Sequence, residues 1–291
     1  METGLALIER VANEIKPELF DGNLSPRKFE ARLIVENITG DNYSEIVSGN
    51  YELNIRQIHK LEEILNKRNL GTPLAYVLNS ISFREIDLYV DERVLIPRPE
   101  TEFVVQCALE RLLEVNSEEI TVIDIGTGSG AIALSIAQEN KKTRVLAVDI
   151  SLDAIEVAKL NGIAIGSPAS RVQFFCSDLL AELPKFLKGK VDLIISNPPY
   201  IGLDEIDTLD NSVLENEPHL ALFSGEKGDE HYKLIIEQSK QWLSPRSSLV
   251  LEIAPRHVDV IQKLAVENDF SSVEIIDDLT MRSRVAVLTV D

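Results

Sequence analysis

The sequence predicts an α/β protein in which a doubly wound domain with a mostly parallel sheet follows a small helical domain. From residue 120 onward, short continuous apolar runs alternate with helical stretches. Strands that are apolar along their whole length are typical of parallel sheets, because helices cover both faces of such a sheet. Residues 1–72 instead carry apolar side chains at helical spacing.

Composition indicates a soluble globular protein. Hydrophobic residues make up 44% of the chain, enough to bury a core. The 29 basic and 48 acidic residues give a net charge of −19, which favours solubility or a basic protein partner and disfavours nucleic acid. Cys107 and Cys176 lie outside any metal-binding or disulfide pattern, so we expect no metal. Because signal-peptide and membrane-span patterns are absent from the sequence and the two cysteines suggest no disulfides, we expect a cytoplasmic protein without membrane contact. We also expect a monomer.

The helical domain is predicted over residues 1–72. Its first helix is indicated by apolar residues at helical spacing, namely Leu5, Ile8, Val11, Ala12 and Ile15. Ser25 and Pro26 supply an N-cap and a first-turn proline for a second helix that ends near Gly40. A further helix begins at Asn54 and ends before Gly71.

A β-hairpin linker is predicted over residues 73–96, before the main domain at 97–291. Apolar and polar residues alternate from Ser80 to Val90, which is a strand pattern. Asp91-Glu92 is the expected turn, followed by a second strand over 94–96. After Pro97 and Pro99, a helix is expected over about 100–115.

The main domain contains a glycine-rich turn between its first strand and the next helix. Glycines at 126, 128 and 130 let the backbone turn sharply and let a ligand lie against bare main chain. The loop Gly126-Thr127-Gly128-Ser129-Gly130 therefore predicts a nucleoside cofactor. Nicotinamide-binding folds use a similar loop, and a glycine turn can also occur without any ligand.

Two acids follow the next strands. Asp149 ends the second strand, where its carboxylate can accept hydrogen bonds from both ribose hydroxyls. Asp178, followed by Leu179, comes after the third strand and could receive an adenine amino group; the alternative is an ordinary turn aspartate.

The fourth strand ends in Asn197-Pro198-Pro199-Tyr200. Two prolines stop the strand ladder and stiffen the backbone, and carbonyl oxygens stay available as acceptors. An amide or base NH₂ is a poor nucleophile because its lone pair is delocalised. The Asn197 side-chain oxygen and the Pro198 carbonyl can accept both N–H bonds and aim the nitrogen, and Tyr200 would cover one face of the planar group.

With these motifs the chain resembles the HemK (PrmC) family of release-factor glutamine methyltransferases. The resemblance spans nearly the whole length and rests on four segments: residues 94–102 (VLIPRPETE), the loop at 124–130, residues 197–200 and residues 217–222 (EPHLAL). It implies a Rossmann-like, seven-stranded class I methyltransferase domain with a helical N-terminal domain that recognises the substrate, joined by a β-hairpin.

The resemblance also implies roles for particular residues. The loop and Asp149 would hold S-adenosylmethionine, leaving S-adenosylhomocysteine as product. Asn197 would contact both cofactor and substrate, and Pro198, Pro199 and Tyr200 would complete the glutamine pocket. Arg98 and Glu100 resemble the family's wall beside the methionine end of the cofactor. The implied acceptor is the glutamine of the Gly-Gly-Gln loop of peptide-chain release factors.

Three alternatives remain open at the level of sequence. The same Asn-Pro-Pro-Tyr chemistry serves enzymes that methylate an exocyclic amine of a nucleic-acid base, which would need a flipped base and a basic groove. Glutamine of another protein is a second possible acceptor. A regulator that binds the cofactor without transferring a methyl group is a third.

Overall fold

The computed structural model describes residues 1–20 and 24–291. The chain divides into two compact units, Met1–Ser80 and Ile81–Asp291. This boundary falls inside the segment 73–96 for which the sequence predicts a linker. Among the described residues, each helix is too short or too polar to cross a bilayer.

The first unit is helical. Its described elements are β1 (Glu2–Thr3), α1 (Gly4–Glu14), a 3₁₀ turn (Pro17–Phe20), α2 (Leu24–Thr39), α3 (Tyr43–Ser48), β2 (Asn50–Tyr51), α4 (Ile55–Asn69) and α5 (Leu74–Leu78). β1 and β2 pair antiparallel. The apolar faces of the helices bury a common core that includes Leu7, Val11, Ile34 and Leu61.

Side-chain caps set several helix starts in this unit. Thr3 accepts a hydrogen bond from the Ala6 amide at the start of α1, and Asn54 begins α4 through a capping box with Gln57. The prediction of Ser25 as an N-cap is wrong, because α2 already begins at Leu24 and its cap position falls outside the described residues. Helices α3 and α5 escaped prediction, since five or six residues are too few to show a helical period.

A short hairpin opens the second unit, formed by β3 (Ile81–Phe83) and β4 (Ile86–Leu88). Its turn is Arg84-Glu85, with Arg84 in the left-handed conformation at φ 50°. The chain does turn at Asp91-Glu92, where the Val94 amide donates to the Asp91 carbonyl at 3.1 Å, but the predicted strand over 94–96 is wrong, so this turn joins no hairpin. Asp91 is instead buried, where it accepts hydrogen bonds from the Tyr89 hydroxyl and the Arg93 guanidinium.

Seven strands of the second unit form one sheet in the order β10-β11-β9-β8-β5-β6-β7. Its elements are α6 (Pro99–Leu113), β5 (Ile120–Ile125), α7 (Ala131–Glu139), β6 (Thr143–Asp149), α8 (Leu152–Ile165), β7 (Val172–Cys176), β8 (Val191–Ser196), α9 (Asn211–Asn216), α10 (His219–Leu222), α11 (Glu230–Ser239), β9 (Leu243–Glu252), α12 (Val258–Glu267), β10 (Ser272–Asp277) and β11 (Ser283–Thr289). Strands β5 to β9 run parallel, and β11 is antiparallel to β9 and β10. The prediction of a mostly parallel sheet from seven apolar runs is confirmed.

Apolar cores lie on both faces of this sheet. Helices α6 and α7 pack on one face, and α11 and α12 pack on the other. Trp242, the only tryptophan of the sequence, is 1% exposed in the second of these cores. The amino groups of Lys185 and Lys188 lie 5.7 and 5.6 Å from the centre of its ring.

Candidate active site

A cavity lies at the carboxyl ends of the parallel strands, where ligands bind in open α/β sheets. Its walls come from the turn after β5, the ends of β6 and β7, the segment after β8, the segment before α6, and helices α10 and α11. The lining includes Pro97, Thr101, Gly126, Thr127, Gly128, Ser129, Asp149, Ser177, Asp178, Leu179, Asn197, Pro198, Pro199, Pro218, Ala221 and His231.

The glycine turn after β5 forms one wall. Gly126, Gly128 and Gly130 all have positive φ, at 72°, 53° and 85°, a conformation that side chains with a Cβ rarely adopt. A Cβ at Gly128 would meet no described atom within 4 Å, so the main chain there borders open space. Gly130 faces inward instead, since its Cβ would lie 2.9 Å from the Leu134 side chain. Gly130 therefore shapes the turn without lining the cavity.

Asp149 is held at the end of β6 by main-chain donors. The amide of Gly128 donates to its Oδ2 and the amide of Ser151 to its Oδ1, each at 2.9 Å. Burial raises the pKa of Asp149, and these hydrogen bonds act in the opposite direction. Each carboxylate oxygen keeps lone pairs for a further donor. A pair of neutral hydroxyl groups fits this arrangement.

A second acid lies beneath the turn. Asp124 is fully buried, and its Oδ2 accepts from the Thr127 hydroxyl at 2.6 Å and from the Ala133 amide at 3.1 Å. Its Oδ1 has no hydrogen-bond partner among the described residues. Burial raises the pKa of Asp124 to about 7. Asp124 thereby ties the glycine turn to the first turn of α7.

The peptide after β8 lies beside the glycine turn, because β8 and β5 are neighbours in the sheet. A Cβ on Gly126 would lie 4.0 Å from the main-chain oxygen of Asn197. The Asn197 side-chain amide donates to the Thr101 hydroxyl at 3.0 Å, and that hydroxyl donates to Glu252 at 2.7 Å. Thr101 is 4% exposed and Glu252 is 1% exposed. Three segments distant in sequence therefore meet at this point.

The two prolines and the tyrosine that follow Asn197 lie in different surroundings. Pro198 and Pro199 line the cavity. Among the described residues Tyr200 is not part of the cavity lining. It packs against the core that includes α11 and α12. Burial, together with the nearby negative charge of Glu252, raises the pKa of Tyr200 to about 12. The side chain therefore keeps its proton at neutral pH.

The segment before α6 is pinned to the residues before α10. Arg98 forms an ion pair with Glu217, whose side chain is nearly inaccessible, and the Glu217 carboxylate also accepts from the Ile96 amide at 3.2 Å. Pro97 and Pro218, the neighbours of this pair, both line the cavity. Within the described residues, neither Arg98 nor the exposed Glu100 lines it. Arg98 therefore stabilises this wall of the cavity through its ion pair, without lining the cavity itself.

Asp178, Leu179 and His231 also line the cavity. Ser224 Oγ accepts from the His231 amide at 2.9 Å and lies 2.7 Å from its ring Nδ1. Burial lowers the pKa of His231, so the imidazole is neutral at pH 7. Leu234 and Ile235, one helical turn on, add apolar surface suited to a flat ring.

The structure brings most of the sequence-predicted residues to this one cavity. Gly126, Thr127, Gly128, Ser129, Asp149, Asp178, Leu179, Asn197, Pro198 and Pro199 line it, whereas Gly130, Tyr200, Arg98 and Glu100 lie behind or beside its walls as the described residues define them. Their chemical roles stay predictions.

Sequence reasoning missed other members of the site, namely Thr101, His231 and Glu252. Thr101 stands inside the recognised segment 94–102, yet nothing local shows that it faces Asn197. Glu252 ends an apolar strand, and an acid buried after such a run was the available signal.

The cavity fits a nucleoside. Gly128 leaves its wall bare, the Asp149 carboxylate has free acceptor sites, and the apolar side chains of Leu234 and Ile235 suit a base. These are the features by which S-adenosylmethionine would be held.

Comparisons with known proteins agree with this geometry. The family model described as Methyltransferase small domain matches residues 104–216. A release factor glutamine methyltransferase of Clostridium acetobutylicum is 36% identical, over 83% of this chain and 84% of the relative. A bifunctional methyltransferase of Rickettsia felis is 30% identical over 97% of this chain, which spans 58% of that longer protein. A solved methyltransferase from Pyrococcus furiosus shares the fold, with a TM-score of 0.50 and 17% identity, over 80% of this chain and 96% of its own.

The Clostridium relative is similar over most of the length of both chains. The chain therefore belongs to the family of release factor glutamine methyltransferases.

Proposed function

We propose that this protein methylates the side-chain amide nitrogen, N5, of the glutamine in the Gly-Gly-Gln loop of peptide-chain release factors. Membership of the family makes S-adenosylmethionine the cofactor. The observation that carries the proposal is the strand-end peptide 197–199, which lines the same cavity as the glycine turn.

Bound S-adenosylmethionine would supply an electrophilic methyl group on its sulfonium. Transfer would form a carbon–nitrogen bond and break a carbon–sulfur bond, leaving S-adenosylhomocysteine, and the amide nitrogen would release one proton to water. The protein's contribution is to bind and to orient. The main chain of Gly126 and Gly128 and the carboxylate of Asp149, which line the cavity, would hold the nucleoside, and Asp178 would receive the base. The segment pinned by Arg98 and Glu217 would lie beside the methionine end.

The acceptor amide is held by oxygen atoms. Asn197 Oδ1 and the Pro198 carbonyl accept its two N–H groups, so that the nitrogen faces the methyl group. The stiff Pro198-Pro199 backbone holds these acceptors in place before the reaction, so they need no reorganisation in the transition state. Tyr200 is protonated and supports the peptide from the core side.

The helical unit, predicted as residues 1–72, would recognise the protein substrate. Phe29 and Tyr43 are 57% and 42% exposed, and the Arg32 guanidinium lies 4.5 Å from the centre of the Tyr43 ring. Exposed aromatic and arginine side chains are typical of protein-binding surfaces. We propose a cytoplasmic monomer that binds no membrane and no nucleic acid directly.

The test uses labelled S-adenosylmethionine with three acceptors: a release factor, its Gln→Ala variant in the Gly-Gly-Gln loop, and duplex DNA. We expect label on the intact release factor only, and mass spectrometry should locate one methyl group on that glutamine. Equal label on the Gln→Ala protein would show that another residue is the acceptor. Label on DNA would establish the base-methylating alternative instead.

A further inference from the structure

We infer that Thr101 and Glu252 are positioning residues that fix the orientation of the Asn197 side-chain amide. The inference rests on the proposed function, since it concerns how Asn197 meets the acceptor. It starts from the chain of hydrogen bonds Asn197 Nδ2 to Thr101 Oγ1 at 3.0 Å and Thr101 Oγ1 to Glu252 Oε2 at 2.7 Å.

The direction of these hydrogen bonds follows from the charge on Glu252. An ionised carboxylate can only accept hydrogen bonds, so the Thr101 hydroxyl must use its single O–H group to donate to Glu252. The Thr101 oxygen is then free only to accept, and the group of Asn197 that faces it must be the NH₂. The amide is planar, so Asn197 Oδ1 points away from Thr101.

This orientation is the one that the acceptor glutamine needs. Asn197 lines the cavity, and an oxygen facing it can accept an N–H bond from the glutamine amide, whereas a flipped Asn197 would offer a donor to a donor. An asparagine amide has no such preference by itself, because its two ends have nearly the same shape. Glu252 sets the orientation of the Asn197 amide through the Thr101 hydroxyl that lies between them.

Burial of Thr101 and Glu252 strengthens the constraint that they place on the Asn197 amide. Thr101 and Glu252 are both nearly inaccessible, so water does not compete for their hydrogen bonds. Among the described residues, the charged or titratable groups near Glu252 are Arg98 and Glu100 at the start of α6, Arg284 on β11, Tyr200 after β8 and Tyr232 on α11. Burial outweighs the two arginines and raises the pKa of Glu252 to about 7. A protonated Glu252 could donate to Thr101, and the constraint on Asn197 would then be lost.

The first test compares Thr101→Val, Thr101→Ser and Glu252→Gln, with exposed Thr208→Val as the control. We expect the Val and Gln variants to lower kcat roughly 10- to 100-fold on a release factor, because a misaligned acceptor loses rate in this range. In these variants the dissociation constant of S-adenosylmethionine should stay within about threefold of the wild-type value. Thr101→Ser keeps the hydroxyl group and should therefore retain most of the wild-type kcat. A kcat of Thr101→Val within twofold of wild type would overturn the inference.

The second test reads Asn197 directly and needs no substrate. In ¹⁵N-labelled protein bound to S-adenosylhomocysteine, the side-chain NH₂ signals of Asn197 should shift with pH around 7 in wild type and stay constant in Thr101→Val. The kcat of wild type should fall as the pH drops through the same range. Identical shifts in both proteins would overturn the inference. Inactivity of the wild-type protein on release factors would refute the proposed function while leaving this second test decisive.

Discussion

The two ends of the cavity are built in different ways. The end at the glycine turn uses main-chain groups of one short stretch, with Gly128 leaving the wall bare and its amide holding Asp149. The end at Asn197 uses side chains of three segments, because Thr101 and Glu252 come from α6 and β9. The first end is suited to binding a constant ligand. The second is suited to aiming one functional group.

This difference predicts that damage at the two ends should be separable. A change at the acceptor end should reduce the rate of transfer and leave cofactor affinity nearly intact, whereas a change at the glycine-turn end should do the reverse. Substitutions with the opposite outcome would contradict the division of labour.

The largest effect is expected for Asn197→Ala. Removing the acceptor oxygen should lower kcat roughly 1000-fold, as loss of one preorganised transition-state contact does, with S-adenosylmethionine affinity changed only a few-fold. Steady-state kinetics and calorimetric titration measure the two quantities, and exposed Asn211→Ala in the same unit is the matched control. Turnover within tenfold of wild type would remove Asn197 from the reaction.

A smaller effect, on binding, is expected for Asp149→Asn. The amide would present N–H donors to hydroxyl groups and to the Gly128 amide, so the dissociation constant for S-adenosylmethionine should rise roughly 100-fold. At saturating cofactor, kcat should return to within a few-fold of wild type. Exposed Asp153→Asn controls for loss of charge. Unchanged affinity would place the ribose elsewhere.

The smallest effect is expected for Asp124→Asn, measured as stability. The folded-state pKa of about 7 lies above the ordinary 3.8, so the stability that this carboxyl contributes is present at low pH and is lost as the pH rises through 7. Asparagine cannot ionise. Between pH 6 and 8 the free energy of unfolding should therefore fall more in wild type than in the variant. The difference between the two decreases should be on the order of 1 kcal/mol.

Urea unfolding at pH 6, 7 and 8 measures this difference. Glu252 also has a raised pKa of about 7, but it titrates in both proteins and cancels in the comparison. Parallel pH profiles for the two proteins would show that Asp124 is already neutral or is solvated when charged.

The sequence was informative where structure is local. The seven strands and the glycine turn were predictable because apolar runs and glycine spacing depend on neighbouring residues alone. The turn at Arg84-Glu85 was not, since neither residue is typical of a left-handed turn. Glu252 escaped prediction because its partner Thr101 is distant in sequence, and only the folded sheet brings the two together. Local sequence patterns thus reveal Asn197 itself, but not the Thr101 and Glu252 side chains that hydrogen-bond in series with it.

The burial of Trp242 gives the protein a built-in optical reporter. It is the sole tryptophan and sits in the core of the sheet unit, so its fluorescence follows the unfolding of Ile81–Asp291 and not that of the helical unit. Far-ultraviolet circular dichroism follows both units. A denaturation curve recorded by the two signals together would reveal whether the units melt in one transition or in two.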